Sequence, residues 1–216
     1  MEQCDRNPVM SEIFAMLEDI SDEVRRPAKN VLFRQGDRAE FIYFVHTGAL
    51  RTDHQSEDGR NLVLDFLWEG DFLGLAENES YSRSAITLVD SILKRMRRDS
   101  VRKLSHRYPA IKDLFLAQKK ASLAAARTHI ILLSCPTAVE KIVGFLAACS
   151  GRSEYFDRHT NVLTLVMNRK DIADYLGISF ETISRIFSYL ENENYIRRID
   201  SRTIKLTEKI MNNLIC

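Results

Sequence analysis

Apolar and polar positions along this chain change rhythm more than once, and each change predicts a different kind of element. From Val31 to Arg97 short apolar runs alternate with turn residues (VLFRQGDRA, FIYFVHTGAL, LVLDFLWEGDFLG, SAITLVDSILKRM), and glycines at 36, 48, 59 and 70 fall at intervals of 11 or 12 residues. Strand signals separated by turns at this spacing predict an antiparallel roll or barrel of about 70 to 80 residues. Ahead of it, MSEIFAMLEDISDEVR at 10 to 25 reads as a short amphipathic helix. After SHRYP (105 to 109) the period becomes helical in AIKDLFLAQKKASLAAARTHIILL, bounded by Pro109 and, just past its end, by Pro136. At about 1.5 Å per residue that helix spans roughly 37 Å. Leu114, Ala117 or Gln118, Ala121, Ala125, Thr128 and Leu132 mark a near-heptad seam rich in small residues. Such a seam lets two helices approach closely and predicts a dimer interface, the other reading being a core helix within one chain. TAVEKIVGFLAACS (137 to 150) opens a further helical domain whose core takes Ile142, Val143, Phe145 and Leu146. The expected order is an α+β chain: antiparallel β-roll over 1–108, dimerisation helix over 109–134, and a C-terminal domain over 135–216.

Within that last domain, NRKDIADYLGISFETISRIFSYL (168 to 190) reads as a short helix, a turn at Gly177 and a second helix. Ile172 and Leu176 form an i, i+4 apolar pair on the first helix. Ala173 is small enough for a close crossing, and Gly177 tolerates a left-handed turn. Ser179 is a good N-cap for the second helix, which turns Ile183, Ile186 or Phe187, and Leu190 to the core. Its other face carries Glu181, Ser184, Arg185 and Ser188, each ending in a hydrogen-bonding group. Packing alone accounts for the first face and leaves the second as an ordinary solvated surface. The next segment changes that. YIRRIDSRTIKL (195 to 206) holds two β-favouring runs around Asp200-Ser201, a hairpin wing with Arg197, Arg198, Arg202, Lys205 and Lys209 against Asp200 and Glu208. Helix, turn, helix and basic wing together predict a major-groove recognition helix, with protein contact as the alternative use. Base-edge chemistry assigns Glu181 to accept from cytosine N4, Arg185 to donate to guanine, and Ser184 to a thymine methyl or base edge. Arg169, Ser179, Thr182, Arg197 and Arg198 are assigned to phosphates.

Bulk charge adds nothing to this reading. The 216 residues carry 31 Lys and Arg against 30 Asp and Glu, a formal net charge of +1, and 45% hydrophobic residues suffice for two modest cores. No apolar run approaches the length of a membrane span and MEQCDRN has no signal-peptide character, so a cytoplasmic protein without membrane contact is expected. Cys4, Cys135, Cys149 and Cys216 are scattered without a C-x-x-C pair, which argues against a zinc site or a cysteine-ligated cluster and for thiols. Cys135 and Cys149 read as small buried hydrophobes. No Ser/His/Asp order, H-E-x-x-H, P-loop or G-x-G-x-x-G supports an enzyme. A signalling adaptor using the roll without DNA is the remaining class.

The order roll, long helix, winged helix, and above all RKDIADYLGISFETISR (169 to 185), resembles the CRP/FNR superfamily of bacterial transcription regulators across essentially the whole chain. ETISR, Glu181 to Arg185, is similar to the FNR and FixK branch, as are CPTAVEKIVGFL (135 to 146) and RTIKLTEKIMNNLIC (202 to 216), while Phe180 stands where the cyclic-AMP branch has a basic residue. The resemblance implies a homodimer on a palindrome of double-stranded DNA with TTGAT-like halves, read by Glu181, Ser184 and Arg185, and RNA polymerase as a partner. It also makes the roll similar to a cyclic-nucleotide-binding fold. Arg83-Ser84-Ala85 matches the trio that grips the cyclic phosphate, so Arg83 and Ser84 mark a candidate effector pocket. The rest departs: Leu75 follows Gly74 where the ribose acceptor glutamate belongs, and the segment before Arg83 is shorter. Only Cys4 stands where an N-terminal cluster would need several cysteines, and His46 and His54 are isolated, reading as surface or structural residues rather than haem ligands. The expectation is a regulator without metal, cofactor or cyclic nucleotide, with a cyclic-nucleotide-responsive CRP-like regulator as the alternative.

Overall fold

The computed structural model describes residues 8–211. They form two compact units that divide at the Ala125–Ala126 step, inside the long helix. Cys4 and Cys216 lie outside the described residues.

The first unit begins with helix α1 (Pro8–Glu18), followed by strands β1 (Ser21–Arg26), β2 (Val31–Phe33), β3 (Phe41–Thr47), β4 (Ala49–Gln55), β5 (Asn61–Trp68), β6 (Phe72–Leu73), β7 (Ser84–Thr87) and β8 (Ser91–Arg97). They build two four-stranded antiparallel sheets, ordered β1-β8-β3-β6 and β2-β7-β4-β5. This is the expected roll. Alternating residues meet inside it: Val24, Phe33, Tyr43, Val45, Leu50, Leu67, Leu73, Tyr81 and Leu93 form one buried cluster, with the Phe33 and Tyr81 rings stacked at 3.7 Å. The spaced glycines at 36, 48, 59 and 70 all take positive φ, and at two glycines of the roll, Gly48 and Gly74, a side chain is also sterically excluded. A Cβ at Gly48 (φ 105°) would run into Ser91, and one at Gly74 (φ 84°) would lie 2.8 Å from the Phe41 carbonyl oxygen.

Two readings are corrected here. The amphipathic helix expected over 10–25 stops at Glu18, and Ser21–Arg26 is instead an edge strand paired with β8, Val24 opposite Leu93. Val24 is the one buried residue of that strand, so its charged neighbours conceal a period of two. The stretch after β8 is also structured: helix α2 (Arg98–Arg107) precedes α3 (Pro109–Leu133). Pro109 sits at the first helical position, where its missing N–H costs no hydrogen bond. On the outer side of the β1–β8–β3–β6 sheet, Ile13, Leu17, Ile42, Met96, Val101, Ile111, Leu114 and Phe115 form a second core.

The second unit takes the last turns of α3 and continues through α4 (Ala138–Ser150), β9 (Phe156–Asp157), β10 (Val162–Thr164), α5 (Arg169–Leu176), α6 (Phe180–Asn192), β11 (Ile196–Arg198), β12 (Thr203–Leu206) and α7 (Glu208–Met211). Its sheet runs β11-β12-β10-β9, so the wing hairpin is anchored by a second hairpin that sequence periodicity did not reveal. Ile142, Phe145 and Leu146 are buried and Val143 is half-buried. The Thr137–Glu140 capping box starts α4.

Two residues of the seam expected on α3 are covered within the chain. Leu114 is buried in the core of the first unit, and Leu132 is buried with its side chain against Gly144 of the second. These two leucines are therefore satisfied within the chain. Ala121, Ala125 and Thr128 are exposed. The large apolar side chains exposed on α3 lie elsewhere: Leu116 (52%), Leu123 (54%) and Ile130 (63%), at steps of seven residues, with Ile131 and Leu133 beside them. At about 100° per residue, Leu116 points roughly 200° around the helix from Leu114. The periodicity reading picked out one seam, and only the packing shows that its end leucines are covered within the chain while Leu116, Leu123 and Ile130 are not.

Candidate nucleic-acid interface

Local chemistry fixes both ends of α5. Asn168 accepts from the Asp171 N–H at 2.9 Å and the Asp171 carboxylate accepts from the Asn168 N–H at 3.0 Å, a reciprocal cap that satisfies two helix-end donors. At the other end Gly177 takes φ 63°, ψ 38°, and its N–H donates to the Ala173 carbonyl. Two residues on, the Ser179 hydroxyl accepts from the Thr182 N–H at 3.1 Å and starts α6. Ile172, Ala173 and Leu176 of α5 and Ile183, Phe187 and Leu190 of α6 are buried, so the two helices lock by the faces the sequence assigned. Ile186 is half-buried, and Phe187 is the residue that fills the core.

This leaves the opposite face of α6 to solvent. Glu181, Arg185 and Ser188 are exposed and Ser184 is half-exposed, on consecutive turns from the N-terminus. Arg185 donates weakly to the Thr182 hydroxyl at 3.4 Å, which in turn shares a hydrogen with Ser179 Oγ at 3.0 Å. Glu181 is held below the usual carboxylate range first by its own backbone N–H, then by the Ser179 hydroxyl. It is therefore an acceptor only at neutral pH, the state that recognition of an exocyclic amine needs.

Other expected contact residues are placed less simply. In the wing, the Asp200 carboxylate accepts from the N–H groups of Arg202 and Thr203 at 2.7 and 2.8 Å and closes the turn. Arg197 is exposed; Arg198 is exposed but pairs with Glu191 at 3.4 Å. Lys209 folds back on α6, donating to the Glu193 carbonyl at 3.0 Å over the Tyr195 ring, so the wing offers fewer solvent-directed cations than its composition suggested. Arg169 is half-buried with its guanidinium 3.2 Å from the Phe187 ring centroid, and burial pushes its pKa down to about 10. It remains charged at neutral pH and packs against the helix-turn-helix core. Its role as support left no signal in the sequence, because Phe187 sits eighteen residues away.

The last turns of α3 belong to this unit. The His129 ring stacks on Tyr175 of α5 at 3.7 Å, with Nε2 2.8 Å from the Tyr175 carbonyl oxygen, and Phe145 of α4 meets the same tyrosine at 5.7 Å.

In the roll, Arg83 and Ser84 are adjacent in sequence, and each already has a partner within the chain. Arg83 Nε lies 3.7 Å from the carboxylate of buried Glu77, and Ser84 Oγ accepts from the Gln35 N–H at 3.0 Å. His54 Nδ1 lies 3.3 Å from the Ser82 carbonyl oxygen. No group of three or more His, Cys, Asp or Glu able to hold a metal ion occurs among the described residues. No helix there is long and apolar enough to cross a membrane.

An antiparallel roll, a long helix and a winged helix-turn-helix whose second helix leaves a polar face outward define a DNA-binding regulator of two modules. Residues 23–108 match the cyclic nucleotide-binding domain and residues 140–209 the Crp-like helix-turn-helix domain. The chain is 31% identical to a nitrogen fixation regulation protein, FixK, of Azorhizobium caulinodans, over 88% of this chain and 82% of that one. It is 33% identical to the transcriptional activatory protein AadR of Rhodopseudomonas palustris, over 83% and 75%. Among solved structures, FixK2 from Bradyrhizobium japonicum aligns with a TM-score of 0.81 at 27% identity, covering 91% of this chain and 98% of that one. The chain belongs to the CRP/FNR family of transcription regulators, with FixK- and FNR-like proteins among its relatives.

Proposed function

We propose that this regulator binds, as a homodimer, a palindromic operator with TTGAT-like half-sites, without needing cyclic nucleotide or an iron–sulfur cluster. The observation that carries this is the N-terminal face of α6, where an ionised glutamate and an arginine stand exposed one turn apart with a half-exposed serine between them. Glu181 accepts from cytosine N4, Arg185 donates to guanine, and Ser184 meets the thymine edge. Ser179, Thr182, Arg197 and Arg198 contact phosphates, and Arg169 contributes mainly as the support under α6. Dimerisation runs along Leu116, Leu123 and Ile130, whose seven-residue spacing and exposure of more than half give a seam for a second copy. Two such domains place their recognition helices about one DNA turn apart, roughly 34 Å. In the cytoplasm the bound dimer then meets RNA polymerase.

The test is a gel-shift titration of purified full-length protein on a TTGAT-type palindrome and on a copy with scrambled half-sites, each with and without cyclic AMP. Retention of the palindrome alone, unchanged by the nucleotide, is the expected result. Equal affinity for both DNAs, or retention only with cyclic AMP, would sink this reading.

A further inference from the structure

The segment from Gly74 to Ser84 is tied to the rest of the roll by hydrogen bonds. Arg98 donates to the carbonyls of Gly74 and Glu77, the Tyr81 hydroxyl donates to the Phe41 carbonyl at 2.8 Å, and the Gly36 N–H donates to the Tyr81 carbonyl at 2.8 Å. Inside this frame sits a charge that packing does not need: Glu77 is only 7% exposed. One carboxylate oxygen accepts from the Ser82 N–H at 2.9 Å, and the other faces Arg83 Nε at 3.7 Å. The arginine side chain is itself 25% exposed. A guanidinium and a backbone N–H converging on two oxygens of one group are the donors by which a protein holds a phosphate or carboxylate ligand. Here both are directed at a side chain of the same chain. Burying a carboxylate is costly unless charge and hydrogen bonds offset it; here the Ser82 N–H supplies the hydrogen bond and the Arg83 guanidinium the opposite charge.

We propose that the Glu77 carboxylate is the resident anion of the Arg83 site, holding the roll closed in place of a dissociable effector, and that its removal leaves a site for a small oxyanion. This rests on the reading that operator binding needs no added effector. A tethered carboxylate is present at every protein concentration and cannot diffuse away. The ribose side of such a pocket is missing as well, because Leu75 packs against the outer core rather than offering an acceptor.

Thermal unfolding of the full chain in inorganic phosphate, against chloride at equal ionic strength, tests the proposal. Four proteins are compared: wild type, Glu77→Ala, Glu77→Ser, and Glu77→Ala combined with Arg83→Gln. The wild-type Tm should be the same in the two salts. Both single variants should melt lower in chloride and recover part of the loss in phosphate, saturably, as binding to the folded state requires. Recovery should vanish in the double variant. A phosphate gain of equal size in all four is the general stabilisation by an excluded salt and overturns the proposal. So does a Glu77 variant that folds and shows no gain; Glu77→Ser, which vacates the space and keeps a small polar group, serves if Glu77→Ala does not fold. Operator binding by the wild type, run alongside in phosphate-free buffer, separates the two claims. A wild type that needs an added anion to bind sinks both, whereas one that binds alone while its Glu77 variants ignore phosphate sinks only the internal-anion proposal.

Discussion

Arg185 and Arg197 are both exposed arginines in the same module, yet their positions give them different work. Arg185 rises from the second turn of α6 and Arg197 stands on the wing strand β11; under the proposed operator binding the first meets a base edge and the second a phosphate. Replacing Arg185 by alanine should cost about 1 to 3 kcal/mol per lost bidentate contact and relax preference chiefly at the guanine. Arg197→Ala should weaken matched and mismatched operators alike and lower the salt slope by about one. Affinities on matched and guanine-substituted operators at two salt concentrations distinguish these outcomes, and equal losses for Arg185→Ala on both DNAs would make its face a phosphate surface. Cysteine chemistry is decided at this scale too. Burial pushes the Cys149 thiol up to about 12, so at neutral pH it is a protonated, enclosed group, while Cys135 is part-exposed. Alkylation followed by peptide mapping should label Cys135 in the native protein and Cys149 only in denaturant. Cys149 as a buried hydrophobe was legible from its place in an amphipathic run, whereas the exposure of Cys135, expected to be buried, depends on where the α3–α4 connection lies.

At the scale of elements, the ends of helices carry much of the specification. Gly177 has no close neighbour that an added methyl would strike, the nearest atom lying at 3.8 Å, so Gly177→Ala isolates the backbone term. Its left-handed φ should then lower stability by about 1 to 2 kcal/mol. Asn168→Ala removes half of a reciprocal cap and should cost about 1 kcal/mol. Urea denaturation checks both, and an unchanged midpoint for Gly177→Ala would mean that α5 ends in another conformation. These motifs were readable because a cap acts over three or four residues of contiguous chain. The elements that escaped notice lacked that advantage. β1 is a strand because Val24 meets Leu93 across nearly seventy residues, and β9 and β10 exist as support for β12. β1 has a single buried residue, and β9 and β10, of two and three residues, are too short to announce a period.

For the whole molecule the informative element is α3, which supplies both cores and still leaves an apolar row outside. Leu123→Glu should place like charges face to face near a two-fold axis, and it should reduce dimer formation and full-palindrome binding together. Sedimentation velocity with a parallel operator titration checks this; a Leu123→Glu protein that remains dimeric moves the interface off this row. Leu114→Ala is the matching control, since its side chain is enclosed in the first unit. It should destabilise folding by about 2 to 5 kcal/mol, as large-to-small core changes do. The sequence by itself determined the order of modules, the helix-turn-helix with its capped recognition helix, and the division of α6 into a buried and a polar face. All of these follow from periodicity and from chemistry between residues a few positions apart. Tertiary structure alone decided which apolar stripe of α3 the chain covers for itself. It also decided that Arg169 lies on Phe187 and that Glu77 is the partner of Arg83. The physical reason is that burial and charge pairing depend on which surfaces meet across the fold, and a local pattern cannot tell a face that will be covered from one that will stay in water.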